Sequence, residues 1–371
     1  MANYHLKVST LSPLHIGAGE ELRLGFDFMV RGSSTCRLDV DRVLETHPGW
    51  QTARGGRYPL PGELLSEKDY DNPELFRYVL RGRPRSGKGD ARLQACIKDP
   101  FDRPYLPGSS IKGALRTALA WTGWEEVKPR LDSSKLNRSR SWAGQRLERE
   151  LFGENPNKDL LRALQVGDCF GPNKADDSLI IANAQVLTQS KGASGAPIEL
   201  EAIRPNLAFE GSLRVDESLF TPQADRVLRF NDRKHWLDEL IPRVRQHSLA
   251  RIEKHQEWFA EVEGADGIAN FYHQMSRAAL GPNQALLQLG WGTGWDGKTF
   301  WTHLTADEHL FERIVSTYRL DKAGRQSRRQ PGDPFPKSRR SVMALKKDPS
   351  GRAIDRPAAP FGWVLIEIKP E

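Results

Sequence analysis

The sequence predicts an α+β fold built on ferredoxin-like units with mainly antiparallel sheets. Three observations carry that expectation. The opening segment alternates apolar and polar residues, as a half-buried strand does. Further short apolar runs recur in the middle and at the end of the chain, bounded by turn residues. Two stretches with helical periodicity lie between them. The order is strand, helix, strands, helices, strand.

The elements follow in chain order. Tyr4, Leu6 and Val8 point one way, while His5, Lys7 and Ser9 point the other. The strand runs into Pro13-Leu14-His15-Ile16-Gly17-Ala18-Gly19, a turn-rich loop. Residues 49–100 are rich in Gly, Pro and charge and read as an insertion, with a helix expected near Pro73 to Leu80. Ile111, Leu115 and Leu119, flanked by Ala114 and Ala118, form one helical stripe with Ser109 or Ser110 as the N-cap.

Leu160 to Phe170 and Leu179 to Leu187 read as strands, and a hairpin tip spans 188–197. Leu207, Phe209, Leu213 and Val215 alternate in another strand. Residues 234–262 and 266–280 are expected helices, and Gly362 to Ile368 closes the chain as a buried strand. Two units are expected. One spans 1–215, with the insertion and a hairpin near 187–200; a helical one spans 216–371. No internal repeat stands out.

The chain has 371 residues, of which 38% are hydrophobic, and its mean hydropathy is −0.59. No apolar run reaches the roughly 18 residues needed to cross a bilayer. The opening MANYHLKVST lacks the apolar stretch of a secretory signal. A reducing cytoplasm is expected from three cysteines, Cys36, Cys96 and Cys169, whose spacing fits neither a disulfide framework nor a zinc site. No metal or cofactor is expected.

Net charge is +7 and the isoelectric point is about 9.3. The cations are clustered. One group holds Arg81, Arg83, Arg85, Lys88 and Arg92, and a second holds Arg138, Arg140, Arg146 and Arg149. A third runs from Lys322, Arg325, Arg328 and Arg329 through Lys337, Arg339 and Arg340 to Lys346 and Lys347. Such clusters suit phosphate contact, although a basic surface also serves solubility.

Three glycine loops are the candidate binding elements. The first, with His15, Gly17 and Gly19, is an anion nest or an ordinary turn. The second, Gly108-Ser109-Ser110-Ile111-Lys112, opens a helix with Arg116 one turn beyond Lys112. Free amides, two hydroxyls and two cations make it a phosphate site; the plainer alternative is a capped helix. It is not a Walker loop, because the spacing differs. The third interleaves Gly290, Gly292, Gly294 and Gly297 with Trp291, Trp295 and Lys298. Its indoles can stack on unpaired bases or anchor a core, and Trp295 is expected to be the more exposed. A helix is expected before it, so a dinucleotide loop is not.

Seven segments together resemble the RAMP superfamily of CRISPR-associated proteins: PLHIGAGEEL, PYLPGSSIKGALRTAL, LQVGDCF, EAIRPNLAFEGSL, LGWGTGWDGKT, and PFPKSRR before PFGWVLIEI. Their order and distances are similar to those of the fifth-Csm family of type III-A CRISPR–Cas effector complexes. The tracts at 49–100 and 124–150 lie outside the resemblance.

The resemblance implies tandem ferredoxin-like units and a thumb hairpin that wedges into the guide–target RNA duplex. It implies a non-catalytic subunit capping the 3′ end of the guide RNA, beside a backbone RAMP subunit and small helical subunits, and away from membranes. Arg339 and Arg340 join the glycine-loop residues as expected RNA contacts. Two alternatives remain: a metal-independent endoribonuclease using His15, and a neighbouring RAMP subunit of such a complex. Catalysis lacks an evident second titratable group beside His15.

Overall fold

The computed structural model describes residues 2–53, 56–86, 91–132, 134, 136, 139–171, 174–190, 192–320, 335–347 and 350–371. Its first sheet is antiparallel throughout. The order is Gln284–Gln288, Trp363–Pro370, Ala2–Thr10, Ala208–Val215, Cys169–Phe170, Tyr105–Leu106, with Leu164–Val166 also on Ala208–Val215. The two ends of the chain are neighbours: Leu6 faces Ile368 and Val8 faces Ile366. The units expected at 1–215 and 216–371 therefore share this sheet.

Alternation decides which residues enter the core. Leu6 and Val8 of the opening strand are buried, with Ile366 and Val364 beside them, while Lys7 and Glu367 face outward. Two helices cover the buried face. Gly108–Val127 contributes Ile111, Leu115 and Leu119, and Leu240–Ala260 contributes Val244. Burial of this stripe drives the docking, at about 25 cal/mol per Å² of apolar surface. The strand order and the two helices are consistent with a βαββαβ unit.

The second sheet runs Gly17–Arg23, Arg92–Cys96, Gly192–Ile203, Leu179–Thr188, Phe76–Arg81, Ser34–Leu38, Phe28–Arg31. Ser338–Lys347 also pairs with Leu179–Thr188, and Ala353–Ala359 lies outside it. Two of its contacts are parallel, at Ile180–Arg81 and at Glu199–Leu93.

Four expectations change. Pro73 to Leu80 is a short 3-10 turn, Pro73–Leu75, and then the strand Phe76–Arg81. Tyr78 and Leu80 are buried and Arg77 and Val79 exposed, so the period is two. The hairpin tip is tighter than 188–197, because Thr188 already faces Gly192 and Val186 faces Ser194. The glycine-led helix starts at Gly108, with no serine side-chain cap. The third loop follows the strand Gln284–Gln288, not a helix.

Candidate nucleic-acid interface

Backbone hydrogen bonds lace the first glycine loop to the third and to the closing segment. The Trp291 amide donates to the His15 carbonyl at 2.8 Å, and the Gly362 amide donates to the Pro13 carbonyl at 2.8 Å. Gly290 makes this approach possible. Its φ is +71°, and a Cβ there would strike the His15 carbonyl. Gly292 has φ +89°, and its Cβ would lie 2.8 Å from the Phe361 Cβ. Gly294, at φ +74°, completes the turn.

The lacing opens a groove of about 500 Å³. Gly17 comes from the first loop and Ser109, Ser110, Gly113 and Thr117 from the glycine-led helix. Gly290, Trp291 and Lys298 come from the third loop. All three loops singled out by sequence thus contribute. Gly19, Ser109 and Lys298 are exposed, and Trp291 is half-buried with Arg340 over its ring at 5.0 Å. Hydroxyls, an ammonium, a guanidinium and an aromatic face are what a single-stranded nucleic acid requires.

A buried charge cluster anchors the third loop from below. Asp296 is 1% exposed and binds Arg339 at 2.7 Å and His255 at 3.5 Å. Arg251, also buried, donates to the Gln288 side chain at 2.5 Å and to the Thr293 carbonyl at 3.2 Å. Burial alone would raise the Asp296 pKa. The guanidinium charges of Arg339 and Arg251 outweigh it and hold the carboxyl well below the usual range. Among the described residues, no group of three His, Cys, Asp or Glu side chains is placed to hold a metal ion.

Several expected contacts fall elsewhere. Lys112 and Arg116 share a helix face, as read, but it is not the groove face. Arg116 binds Glu148 at 3.0 Å and Asp159 at 2.8 Å, and its guanidinium lies 4.1 Å from the Phe152 ring centroid. Burial lowers the pKa of Lys112, and the nearby Asp159 charge offsets part of that shift. The Gly108 amide, expected to be free for an anion, donates to Asp168 at 2.7 Å. Helix geometry explains the outcome: Ser110, Ala114 and Thr117 lie on one face and Lys112 and Arg116 on another.

Both tryptophans are half-buried. Trp295 packs edge-on against Phe335 at 4.8 Å and tilts on Phe311 at 6.0 Å, while Trp291 lines the groove. Arg339 is held inside by Asp296 and by the Trp258 ring, at 5.1 Å. Its neighbour Arg340 is exposed, because successive strand residues face opposite sides. Of the basic clusters, Arg92 binds Glu21, Arg85 binds Asp355 and Arg146 binds Glu150. Lys88, Arg138, Lys322, Arg325, Arg328 and Arg329 lie outside the described residues.

His15 is 3% exposed, and its Nδ1 donates to the Glu201 carbonyl at 2.7 Å. Burial lowers its pKa. It stands edge-on to Trp291, with ring centroids 6.4 Å apart, behind the groove wall. Sequence reasoning missed Gly113 and Thr117. The available signal was the run of small residues along one face of the helix.

Known proteins resemble this chain. Two Mycobacterium tuberculosis proteins, strains CDC 1551 / Oshkosh and H37Rv, are named CRISPR system Cms protein Csm5. Each is 26% identical over 57% of this chain and 52% of its own length. A Streptococcus thermophilus protein of the same name is 25% identical over 58% of this chain and 65% of its own length. The matched region thus spans between half and two thirds of these relatives.

Two solved structures share the fold. One is a chain of a cryo-EM Csm–crRNA–target RNA ternary complex of a type III-A CRISPR–Cas system. It has TM-score 0.72 and 23% identity, with 98% of this chain and 100% of that chain covered. The other is the crystal structure of T. onnurineus Csm5, with TM-score 0.63, 21% identity and 96% and 99% coverage. Residues 7–295, which include the first loop, the groove-lining helix and the third loop as far as Trp295, match the RAMP superfamily, and the chain belongs to it.

Proposed function

We propose that this chain is an RNA-binding, non-catalytic subunit of a type III-A CRISPR–Cas effector complex, lying over the 3′ part of the guide RNA. The observation that carries the reading is the convergence of three glycine loops on one groove lined by Trp291 and Lys298, with Arg340 over the Trp291 ring. Relatives named Csm5 and a structural neighbour from a Csm–crRNA–target RNA complex support the choice of RNA. The other Csm subunits are the proposed protein partners, and the cytoplasm the proposed compartment. The hairpin formed by Leu179–Thr188 and Gly192–Ile203 is the proposed thumb.

His15 argues for a structural role over ribonuclease chemistry. A general acid or base must reach the proton it moves. This ring is buried, and its Nδ1 is committed to a backbone carbonyl.

Binding of a guide-length single-stranded RNA across a salt series tests the proposal. Log affinity should fall with log salt, with a slope of about −0.7 per phosphate neutralised. A salt-independent affinity, or cleavage of the RNA that disappears with His15→Ala, would overturn it.

A further inference from the structure

We infer that Trp291 is a stacking seat for one unpaired nucleobase, and that Arg340 is the placeholder which covers this seat until the base arrives. The inference rests on the RNA-binding reading of the groove and adds to it a residue-level recognition element.

Four observations place the seat. The indole is held rigidly from behind: Trp291 meets Phe361 edge-on at 5.1 Å and His15 edge-on at 6.4 Å. Its backbone amide is fixed by the His15 carbonyl. It is only half-buried, and it lines the groove beside Ser109, Ser110 and Lys298. Arg340 lies over the ring at 5.0 Å and is itself exposed.

Arg340 cannot drift far. Its strand neighbour Arg339 is locked to buried Asp296, and Arg340 faces Val186 in the ladder with Leu179–Thr188. The backbone is therefore fixed while the guanidinium is free to swing. A guanidinium on an exposed ring is weakly held, and a stacked base is held more strongly. The exchange favours the base. The displaced guanidinium then lies within reach of the phosphate of the same nucleotide, where a planar fork of donors binds best. Lys298 and the two serines line the groove beside it.

The test uses the full chain and two probes of equal length: a ten-nucleotide oligoadenylate, and an abasic ribose-phosphate oligomer carrying the same charge. The wild type should bind oligoadenylate more tightly, by about tenfold to a hundredfold. Trp291→Leu should lose that advantage and leave abasic binding unchanged. Trp291→Phe should keep most of it. Arg340→Ala should weaken both probes, because the phosphate contact is common to them.

Equal wild-type affinity for the two probes overturns the stacking seat while leaving the groove reading intact. That comparison needs no variant, so it decides the matter even if Trp291→Leu does not fold. Binding of neither probe overturns the groove reading, and this inference with it.

Discussion

Trp291 with Arg340, and Trp295 with Arg339, are two pairs drawn from the same two segments, and they end in opposite places. Trp291 lines the groove with Arg340 over its ring; Trp295 sits among Phe311 and Phe335, and Arg339 is pulled inside by Asp296. The members of each residue type are chemically identical and separated by one to four positions. What differs is the backbone. Gly290 and Gly292 turn Trp291 toward His15 and Phe361, and strand alternation sends Arg340 out and Arg339 in. Position relative to the turn, not residue type, separates an outward-facing side chain from a structural pin.

The largest test of this contrast is Asp296→Ala. It leaves Arg339 and Arg251 without their shared counter-charge, and His255 without its partner, in a site closed to water. Removing one partner from a buried ion cluster costs about 3–5 kcal/mol. Urea denaturation should show a loss of that size. A loss below about 1 kcal/mol, the range of surface pairs, would mean the cluster does not anchor the loop.

The same carboxyl carries a pH signature. Its folded pKa is depressed, so its contribution is present above the unfolded value of about 4 and is lost as pH falls toward the folded one. His247 works in the same direction. Burial lowers its pKa to about 3, so between roughly pH 6.5 and 3 the unfolded chain binds the extra proton. Stability should therefore fall on acidification through this window. The fall should be shallower in His247→Gln, which stability curves at several pH values would measure.

Trp295→Ala comes next. Its ring is partly buried, so the loss should be smaller than the roughly 3–5 kcal/mol of a fully buried aromatic, at about 2 kcal/mol. RNA affinity of the folded fraction should not change. Denaturation and binding measured on one preparation check both halves. An affinity loss without a stability loss would return Trp295 to the binding surface.

How much of this was legible follows the same divide. The three loops, the opening and closing strands and the stripe Ile111–Leu115–Leu119 were readable, because each is a local pattern with a short period. The orientation of Trp291 and Trp295 was not readable, since it depends on Phe361, Phe311 and Phe335 arriving from other segments. Nor was the fate of Arg116, which is settled by Glu148 and Asp159, 32 and 43 positions away. Charge in a sequence is visible, but its partner is not.

Two lysines test that last point. Lys298 is exposed and lines the groove; Lys112 is half-buried beside Asp159 and is not among the groove-lining residues. If Lys298 neutralises one phosphate, Lys298→Ala should weaken RNA binding by about 1–3 kcal/mol at low salt. It should also make the salt slope shallower by about 0.7. Lys112→Ala should leave both unchanged. A purely long-range field would not separate the two, because either substitution removes one charge from a chain of net charge +7. Only direct contact produces a slope change in one variant and not the other. The decisive reading is the slope, which counts displaced ions, rather than the affinity at a single salt concentration. Equal slopes in the two variants would assign the lysines to the general basic field and leave the groove to its hydroxyls, Trp291 and Arg340.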